Sequence, residues 1–176
     1  TRAKKIIEEK DNDLSDIENI AYHVGVGAVK YSILSQNRIS DIVFDWDNTL
    51  SLDGNSAPYL LYTYARARSI LRKSDLANRA VEDIDFEIDE KAVNLLRKLP
   101  KFSEQIAKAT ETNKPNVISN YLYSLVQDFN SLYNNVSILG EEDEKKKLFL
   151  LNLVDASSQI IKNALSLLCI EVVEEM

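Results

Sequence analysis

An aromatic and basic stripe follows one face of a predicted helix in the middle of the sequence. At 100° per residue, five side chains between residues 57 and 73 fall within a sector of roughly 80°. They are Tyr59, Tyr62, Arg66, Ser69 and Lys73. Phenol rings stack against unpaired bases, and Arg and Lys pair with phosphates, so the stripe is suited to binding an RNA loop. The alternative is structural, with the rings filling a helical bundle and the basic residues facing solvent.

The charge around this helix differs from that of the whole chain. The 176 residues carry a formal net charge of −7, which is the wrong sign for a general nucleic-acid binder. Between residues 66 and 79 the sign reverses, with five basic residues against the single acid Asp75. The five are Arg66, Arg68, Arg72, Lys73 and Arg79. We expect this segment to attract an anionic partner while the acidic remainder repels wrong placements.

Few other side chains could bind a metal or catalyse a reaction. Four acids lie close together but lack the Gly and terminal Glu of a calcium loop, so a solvated segment is favoured over a metal site. These acids are Asp41, Asp45, Asp47 and Asp53. His23 is expected to be packed or hydrogen-bonded, and Cys169, in its apolar context, to lie in the core. One His, one Cys and the lack of a Gly-rich phosphate loop predict no metal site and no self-contained active site.

The elements that must position the stripe are predicted to be helices. The chain has only 4 Gly and 3 Pro with 45% hydrophobic residues, a composition typical of a mostly helical protein. Apolar spacing predicts helices near 2–9, 15–34, 57–73, 89–99, 101–111, 115–135 and 141–168. Residues 41–50 alternate and predict a short extended segment. The expected fold is an all-α helical bundle preceded by a mixed segment, with a boundary near residues 51–56.

Caps and faces refine these helices. Ser15 with Glu18 forms a predicted capping box, Ser56 is placed to cap the stripe helix with Pro58 in its first turn, and Asp89 is placed to cap the next helix. A second face of the stripe helix is expected to enter the core. It carries Leu60, Tyr64, Ala67 and Leu71.

The hydropathy and the ends of the sequence indicate its cellular location and whether it belongs to a longer protein. No run approaches the roughly 18 apolar residues of a membrane span, and the charged N-terminus does not resemble a signal peptide, so we expect a cytoplasmic protein. The only Met is Met176, and the chain begins at Thr1. The sequence therefore looks like the C-terminal piece of a longer protein, although removal of an initiator Met is an equally simple explanation.

Three stretches of the sequence resemble arginyl-tRNA synthetases. The run Val24-Gly-Val-Gly-Ala-Val-Lys-Tyr31, followed by Asp41-Ile-Val-Phe-Asp-Trp-Asp47, resembles the region downstream of that family's nucleotide-binding signature loop. Residues 50–73 look like the start of its anticodon-binding domain, and residues 168–176 are similar to its C-terminus. The resemblance implies a class I aminoacyl-tRNA synthetase that joins arginine to its tRNA with ATP and Mg²⁺ in protein synthesis.

The resemblance also implies that the catalytic signatures lie upstream. Residues 1–50 would be the tail of the catalytic domain and its stem-contact region, and residues 51–176 the helical anticodon-binding domain. This chain would need no cofactor of its own and would not catalyse aminoacylation alone. Its implied partners are the anticodon loop of arginine tRNA and the upstream catalytic domain of the same chain, in a monomeric parent with no membrane contact. The alternative is a non-catalytic helical protein-interaction module whose tyrosine stripe docks a partner helix.

Family positions transfer to four residues of this sequence. Tyr59 and Tyr62 match the aromatics of a Pro-Tyr-x-x-Tyr stretch at the anticodon loop, Tyr133 matches a further aromatic, and Met176 matches the terminal residue near the same bases. With the polar residues of the stripe, the implied anticodon-binding set is Tyr59, Tyr62, Arg66, Ser69, Lys73, Tyr133 and Met176.

The sequence departs from the family pattern at three places. Asn134-Asn135 stands where a His-rich turn is common, Cys169 where Gly is usual, and Glu175 where Arg precedes the terminal Met. Because Glu175 replaces a positive charge, we expect weaker RNA contacts from the tail than from the tyrosine pair.

Overall fold

The computed structural model describes residues 2–8, 16–74, 81 and 83–176, and helices dominate these ranges. Within them we find no strand, so the all-α prediction is confirmed. The helices are α1 (Arg2–Glu8), α2 (Ile17–Leu34), α3 (Trp46–Thr49), α4 (Ala57–Arg72), α5 (Glu90–Lys98), a 3₁₀ turn (Leu99–Lys101), α6 (Phe102–Thr112), α7 (Asn116–Asn135) and α8 (Glu144–Leu167). None of the helices in the described ranges has the length and apolarity needed to cross a membrane.

The helix that carries the stripe begins as predicted. The Ser56 hydroxyl accepts a hydrogen bond from the Tyr59 backbone N–H at 3.3 Å, and Pro58 occupies the first turn of α4. The Asp89 carboxylate likewise caps α5, accepting from the Lys91 N–H at 2.7 Å. These caps satisfy backbone N–H groups that have no partner inside the helix, so local chemistry alone fixes both helix starts.

Two other helix starts differ from the prediction or lie outside the described residues. The capping residue Ser15 is outside the described ranges, and Glu18 accepts a hydrogen bond from Lys4 on α1 at 3.0 Å. The last helix, α8, begins three residues later than the predicted Glu141. Asp143 caps it by accepting from two successive backbone N–H groups at 2.9 and 3.0 Å, whereas Glu141 pairs with Lys146 at 3.0 Å.

The prediction of an extended segment at residues 41–50 is wrong in its second half. Residues 41–45 have no regular structure, and α3 is a single helical turn. Asp45 caps this turn, because its carboxylate accepts from the Asp47 N–H at 2.8 Å and from the Asn48 amide at 2.9 Å. With no neighbouring strand among the described residues to share a hydrogen-bond ladder, the local bonds of the cap decide the conformation.

The stripe helix lies at the centre of the bundle, between α2, α7 and α8. Its predicted core face is confirmed: Leu60, Tyr64 and Ala67 are buried, and Leu71 is half-buried. Gly27 on α2 lies close to both the C-terminal segment and α4, since a Cβ there would lie 3.0 Å from the Ile170 side chain and 3.7 Å from that of Leu61. The core is continuous across the predicted boundary at residues 51–56, because buried side chains of α2 join the same cluster as those of α4. The division into two domains stays a prediction.

The chain turns back onto the bundle after α8. The Cys169 N–H donates to the Ser166 carbonyl and the Ile170 N–H to the Leu165 carbonyl, both at 2.9 Å, which is a Schellman ending. Cys169 has a φ of 56° and an exposed side chain, so the prediction that it lies in the core is wrong. Its position at the turn, rather than its apolar neighbours, decides its exposure. The left-handed conformation also accounts for the Gly that the family resemblance places here.

The C-terminal tail, residues 169–176, runs from α2 to α4. His23 on α2 lies 3.3 Å from the Glu171 carboxylate, in keeping with the prediction of a hydrogen-bonded rather than catalytic histidine. Ile170 and Val173 are buried against the helices, so the tail is held by apolar burial as well as by polar contacts. Its end, Met176, is thereby brought beside the stripe.

A candidate nucleic-acid interface

An open cavity of about 780 Å³ lies where α4, the end of α7 and the C-terminal tail meet. Six of the seven predicted site residues line it: Tyr62, Arg66, Ser69, Lys73, Tyr133 and Met176. These residues come from three segments that are far apart in the sequence, so only the tertiary fold brings them together. The remaining wall includes Val136, Ser137, Ile138 and Leu139 from the loop after α7, which sequence reasoning did not single out.

Three planar groups form the centre of this cavity wall. The Arg66 guanidinium carbon lies 4.8 Å from the centroid of the Tyr62 ring and 4.6 Å from that of the Tyr133 ring. Tyr62 and Arg66 are one helical turn apart on α4, and Tyr133 is two-fifths exposed near the end of α7. Cations favour the faces of aromatic rings, so the guanidinium contacts both tyrosines. The result is a surface of flat groups of the kind that bases stack on.

Asn130 on α7 connects Arg66 to the interior. The Arg66 Nη1 donates to the Asn130 side-chain oxygen at 2.7 Å, while the Asn130 amide nitrogen donates to the Tyr59 hydroxyl at 2.9 Å and the Thr63 hydroxyl at 3.0 Å. Asn130 is 8% exposed, and all three partners are on α4. Sequence reasoning missed this residue, although a polar side chain within the apolar face of a long helix is a detectable signal.

The structure does not place Tyr59 in the cavity. Its hydroxyl is bound by Asn130 and its ring packs edge-on against Tyr123, with centroids 6.2 Å apart. Tyr59 shares a helix face with Tyr62, but its turn of α4 lies under α7. For this residue the structural alternative, a ring within the bundle with its hydroxyl bound, describes what is observed.

The predicted basic segment is partly neutralised by the tail. Arg68 pairs with Glu174 at 3.0 Å, and Arg72 contacts Glu174 at 3.7 Å and Glu175 at 3.4 Å. Arg79 and Asp75 lie outside the described residues. Arg66, Arg72 and Lys73 all line the cavity, with Lys73 exposed at its rim. Glu175 lines it as well and pairs with Arg72, so Arg66 and Lys73 supply most of the positive charge there.

Glu174 fastens the tail to α4. Its carboxylate accepts from the Tyr64 hydroxyl at 2.8 Å and from Arg68 Nε at 3.0 Å, and its carbonyl oxygen accepts from Arg72 at 3.1 Å. Partial burial opposes ionisation, but the hydrogen bonds from Tyr64 and Arg68 outweigh it and hold the pKa of Glu174 below its ordinary value. Burial, followed by the Glu174 contact, raises the pKa of Tyr64 to about 12. Sequence reasoning missed Glu174, because three acids in the tail look equivalent.

The described residues provide no metal centre. They contain no group of three or more His, Cys, Asp or Glu side chains that could hold a metal ion. The cavity offers stacking groups, hydroxyls, three basic side chains and a single acidic side chain, Glu175, which do not fit the oxygen-rich site that Mg²⁺ requires.

Comparison with known families divides the chain in two. Residues 60–176 match the family described as DALR anticodon binding domain, which covers every residue that lines the cavity. Residues 1–46 match the family described as tRNA synthetases class I (R), catalytic domain. The cavity thus falls within the anticodon-binding part.

The relatives and solved structures that align with the chain are arginyl-tRNA synthetases. The chain is 45% identical to arginine–tRNA ligase of Fusobacterium nucleatum, with all of this chain and 32% of that protein aligned, and 43% identical to that of Haemophilus influenzae, with 99% and 31% aligned. It is similar to the arginyl-tRNA synthetase structure of Thermus thermophilus, with a TM-score of 0.91, 31% identity, and coverage of 99% of this chain and 30% of that one. For the Plasmodium falciparum structure the values are 0.84, 28%, 99% and 32%.

The chain thus spans about a third of the length of these relatives. One assignment follows from three findings. The cavity is built from three distant segments, the family match spans all of them, and the backbone is similar to that of the solved structures. The chain belongs to the DALR anticodon-binding domain family and corresponds to the C-terminal region of arginyl-tRNA synthetases.

Proposed function

We propose that this chain binds the anticodon loop of arginine tRNA in the cavity between α4, α7 and the tail. The observation that carries the proposal is the convergence of Tyr62, Arg66 and Tyr133 on one stacking surface, with Met176 beside them. Recognition of a single-stranded RNA loop needs flat groups for its splayed bases and cations for its backbone. The cavity supplies both in one place.

Each lining residue has a role that its chemistry supports. The rings of Tyr62 and Tyr133 offer stacking faces, and the guanidinium of Arg66 offers both a stacking face and a positive charge for a phosphate. Lys73, exposed at the rim, is placed to pair with a phosphate as a mobile point charge. Ser69 offers a hydroxyl that can donate or accept, and Met176 offers a polarizable thioether and the terminal carboxylate. Tyr59 supports this site from behind, through Asn130, rather than by stacking.

The remainder of the parent protein is part of the same proposal. We infer that an upstream catalytic domain joins arginine to the tRNA with ATP and Mg²⁺, in a monomeric cytoplasmic enzyme of protein synthesis. An apolar surface of the N-terminal region supports docking of that domain, because seven of the large side chains described there are between two-fifths and nine-tenths exposed. They are Tyr22, Ile33, Ile39, Ile42, Val43, Phe44 and Trp46. These residues lie within the part that matches the class I catalytic domain.

The direct test is titration of the 176-residue chain with an arginine tRNA transcript. We expect binding that weakens steadily as salt rises, because phosphate contacts release counterions. A transcript with its three anticodon bases replaced should bind about tenfold or more weakly, since stacking on a base contributes roughly 1–3 kcal/mol. Equal affinity for the two transcripts would refute anticodon recognition.

Two variants separate RNA binding from protein interaction. Tyr62→Ala and Arg66→Ala should weaken tRNA binding about tenfold while the chain stays folded, because both side chains form the cavity wall. Arg97→Ala is the charge-matched control, since Arg97 is exposed on α5 away from the cavity. If Arg66→Ala and Arg97→Ala have the same effect, the helical protein-interaction module is the better explanation.

Catalysis by this chain alone is a separate question. We expect no arginine-dependent exchange between ATP and pyrophosphate, because the implied catalytic signatures lie upstream of these residues. Detectable exchange by the purified chain would show that this part of the proposal is wrong, and it would leave the binding experiment unaffected.

A further inference from the structure

Asn130 is a buried amide whose presence the packing of α7 on α4 does not explain. Its neighbours on the same face of α7, Val126 and Phe129, are completely buried and apolar. An apolar residue at this position would pack between the helices without the cost of removing an amide from water. Asn130 offsets that cost through three hydrogen bonds, all of them to α4.

Only one of these three bonds reaches the cavity. Thr63 is buried, and its hydroxyl also donates to the Tyr59 carbonyl at 3.0 Å, so this partner belongs to the interior. Tyr59 is half-buried and packs against Tyr123 beside the core, and neither ring lines the cavity. The third bond, from Arg66, is the shortest of the set at 2.7 Å and has a charged donor, which makes it the strongest kind of amide contact.

The Arg66 side chain needs such an anchor to keep one conformation. Arg loses much rotamer freedom when it is fixed, and a cation–π contact at a partly exposed site is weak. The two rings alone would therefore leave the guanidinium mobile over the cavity. A hydrogen bond from Nη1 to a buried amide fixes the position of one guanidinium nitrogen, and together with the two ring contacts it restricts the plane of the group.

We propose that Asn130 is a positioning residue that holds the Arg66 guanidinium over the Tyr62 and Tyr133 rings, so that the three flat groups form a stacking surface before RNA binds. This inference rests on the proposed function of the cavity. Preformed surfaces bind more tightly because less side-chain freedom is lost on association.

The first test needs no RNA. In the free chain, the side-chain N–H resonances of Arg66 should be shifted by the ring currents of both tyrosines, and Tyr133→Leu should reduce that shift. Asn130→Leu, of similar size, should move the resonances towards those of an exposed arginine. Thr63→Val is the matched control, because it removes a partner of Asn130 but leaves the Arg66 bond. An unchanged Arg66 signal in folded Asn130→Leu overturns the proposal.

A second variant guards against loss of folding in Asn130→Leu. Asn130→Asp keeps an acceptor at the same place, and the Tyr59 hydroxyl can donate to it in turn. The Arg66 resonances should then keep their ring-current shift. If Asn130→Leu does not fold and Asn130→Asp releases Arg66, the proposal is wrong.

The second test is a double-mutant cycle with an arginine tRNA transcript. Asn130→Leu and Arg66→Ala should each weaken binding, by about tenfold, and the double variant should bind no more weakly than Arg66→Ala alone, because the two residues act as one unit. Additive losses would mean that Asn130 acts on RNA binding by another route, which contradicts the proposal.

The two tests also separate this inference from the proposed function. If the unaltered chain shows no anticodon-dependent binding, the proposed function fails, and the resonance experiment still decides whether Asn130 positions Arg66. If the unaltered chain binds and Asn130→Leu binds equally well, the role of Asn130 fails while RNA binding stands.

Discussion

Helix α4 carries the same pair of residue types twice, and the two pairs have opposite environments. Tyr62 with Arg66 and Tyr64 with Arg68 each lie one turn apart. Tyr62 and Arg66 line the cavity, and Arg66 donates to the neutral amide of Asn130. Tyr64 and Arg68 both donate to the carboxylate of Glu174 on the tail. An amide leaves the charge of an arginine available to a phosphate, whereas a carboxylate neutralises it. The partner, rather than the arginine itself, decides which arginine keeps its charge available for the proposed RNA ligand.

The largest difference between the two pairs should be in stability. Tyr64 is 2% exposed, so Tyr64→Ala should lower the free energy of unfolding by about 3–5 kcal/mol, because it leaves a cavity in the core. Tyr62→Ala, at the half-buried cavity wall, should cost about 1 kcal/mol or less. Urea denaturation of both variants measures the difference. Equal losses would show that the two faces of α4 do not differ as described.

A single charge change should give Arg66 the kind of partner that Arg68 has. Asn130→Asp places a carboxylate against Arg66 while keeping its position, so tRNA affinity should fall about tenfold. The slope of log affinity against log salt should also flatten by about one phosphate contact. Titrations at several salt concentrations provide the measurement. A variant that loses affinity with an unchanged slope would show that Arg66 does not face a phosphate.

The contacts of Tyr64 and Arg68 with the tail should weaken when Glu174 loses its charge. Because the pKa of Glu174 is lowered in the fold, its contribution to stability is present above its ordinary value of 4.5 and is lost as pH falls through the lower folded-state value. Glu174→Gln should loosen the last residues of the tail at neutral pH, at a cost of about 0.5–1 kcal/mol, since the pairs are partly exposed. Ile170 and Val173, which are buried, should keep the rest of the tail in place. The methyl resonance of Met176, the only methionine, reports the position of the tail in both experiments.

Two controls make this measurement specific to Glu174. Glu104→Gln removes an exposed acid on α6 and should leave the Met176 resonance unchanged. The second control is a pH titration of Glu174→Gln beside that of the unaltered chain. Both proteins keep the terminal carboxylate, so the difference between the two titrations isolates Glu174. A Met176 signal that shifts equally with and without Glu174 would show that Glu174 does not fasten the tail.

The smallest effect is expected at the turn that starts the tail. Cys169 has a φ of 56°, a conformation that costs a residue with a side chain about 1 kcal/mol, so Cys169→Gly should raise the free energy of unfolding by roughly 0.5–1 kcal/mol. Ser166→Gly, inside α8, should lower it by a similar amount. Thermal unfolding of the two variants should therefore move in opposite directions, and a fall in both would contradict the proposed turn strain.

Local sequence rules succeeded where neighbours along the chain supply the partner. The caps at Ser56 and Asp89 and the buried face of α4 follow from residues within one or two turns. The rules failed at residues 46–49, where a cap at Asp45 overrode the alternation, and at Cys169, where the helix ending overrode the apolar context. In both places one local bond pattern competed with another, and composition did not show which would prevail.

The contrast between Tyr59 and Tyr62 shows the limit most clearly. Both lie in the same sector of the helix, three residues apart, and periodicity gives them equal standing. Only the packing of α7 distinguishes them, because it places Asn130 and Tyr123 against Tyr59, whereas Tyr133 near its end meets the Arg66 guanidinium that also covers Tyr62. The sequence established the helices, their caps, the aromatic and basic stripe and the family resemblance, since these depend on short-range spacing. The tertiary structure decided which arginine remains available and where Met176 lies, because both depend on contacts between residues more than sixty positions apart.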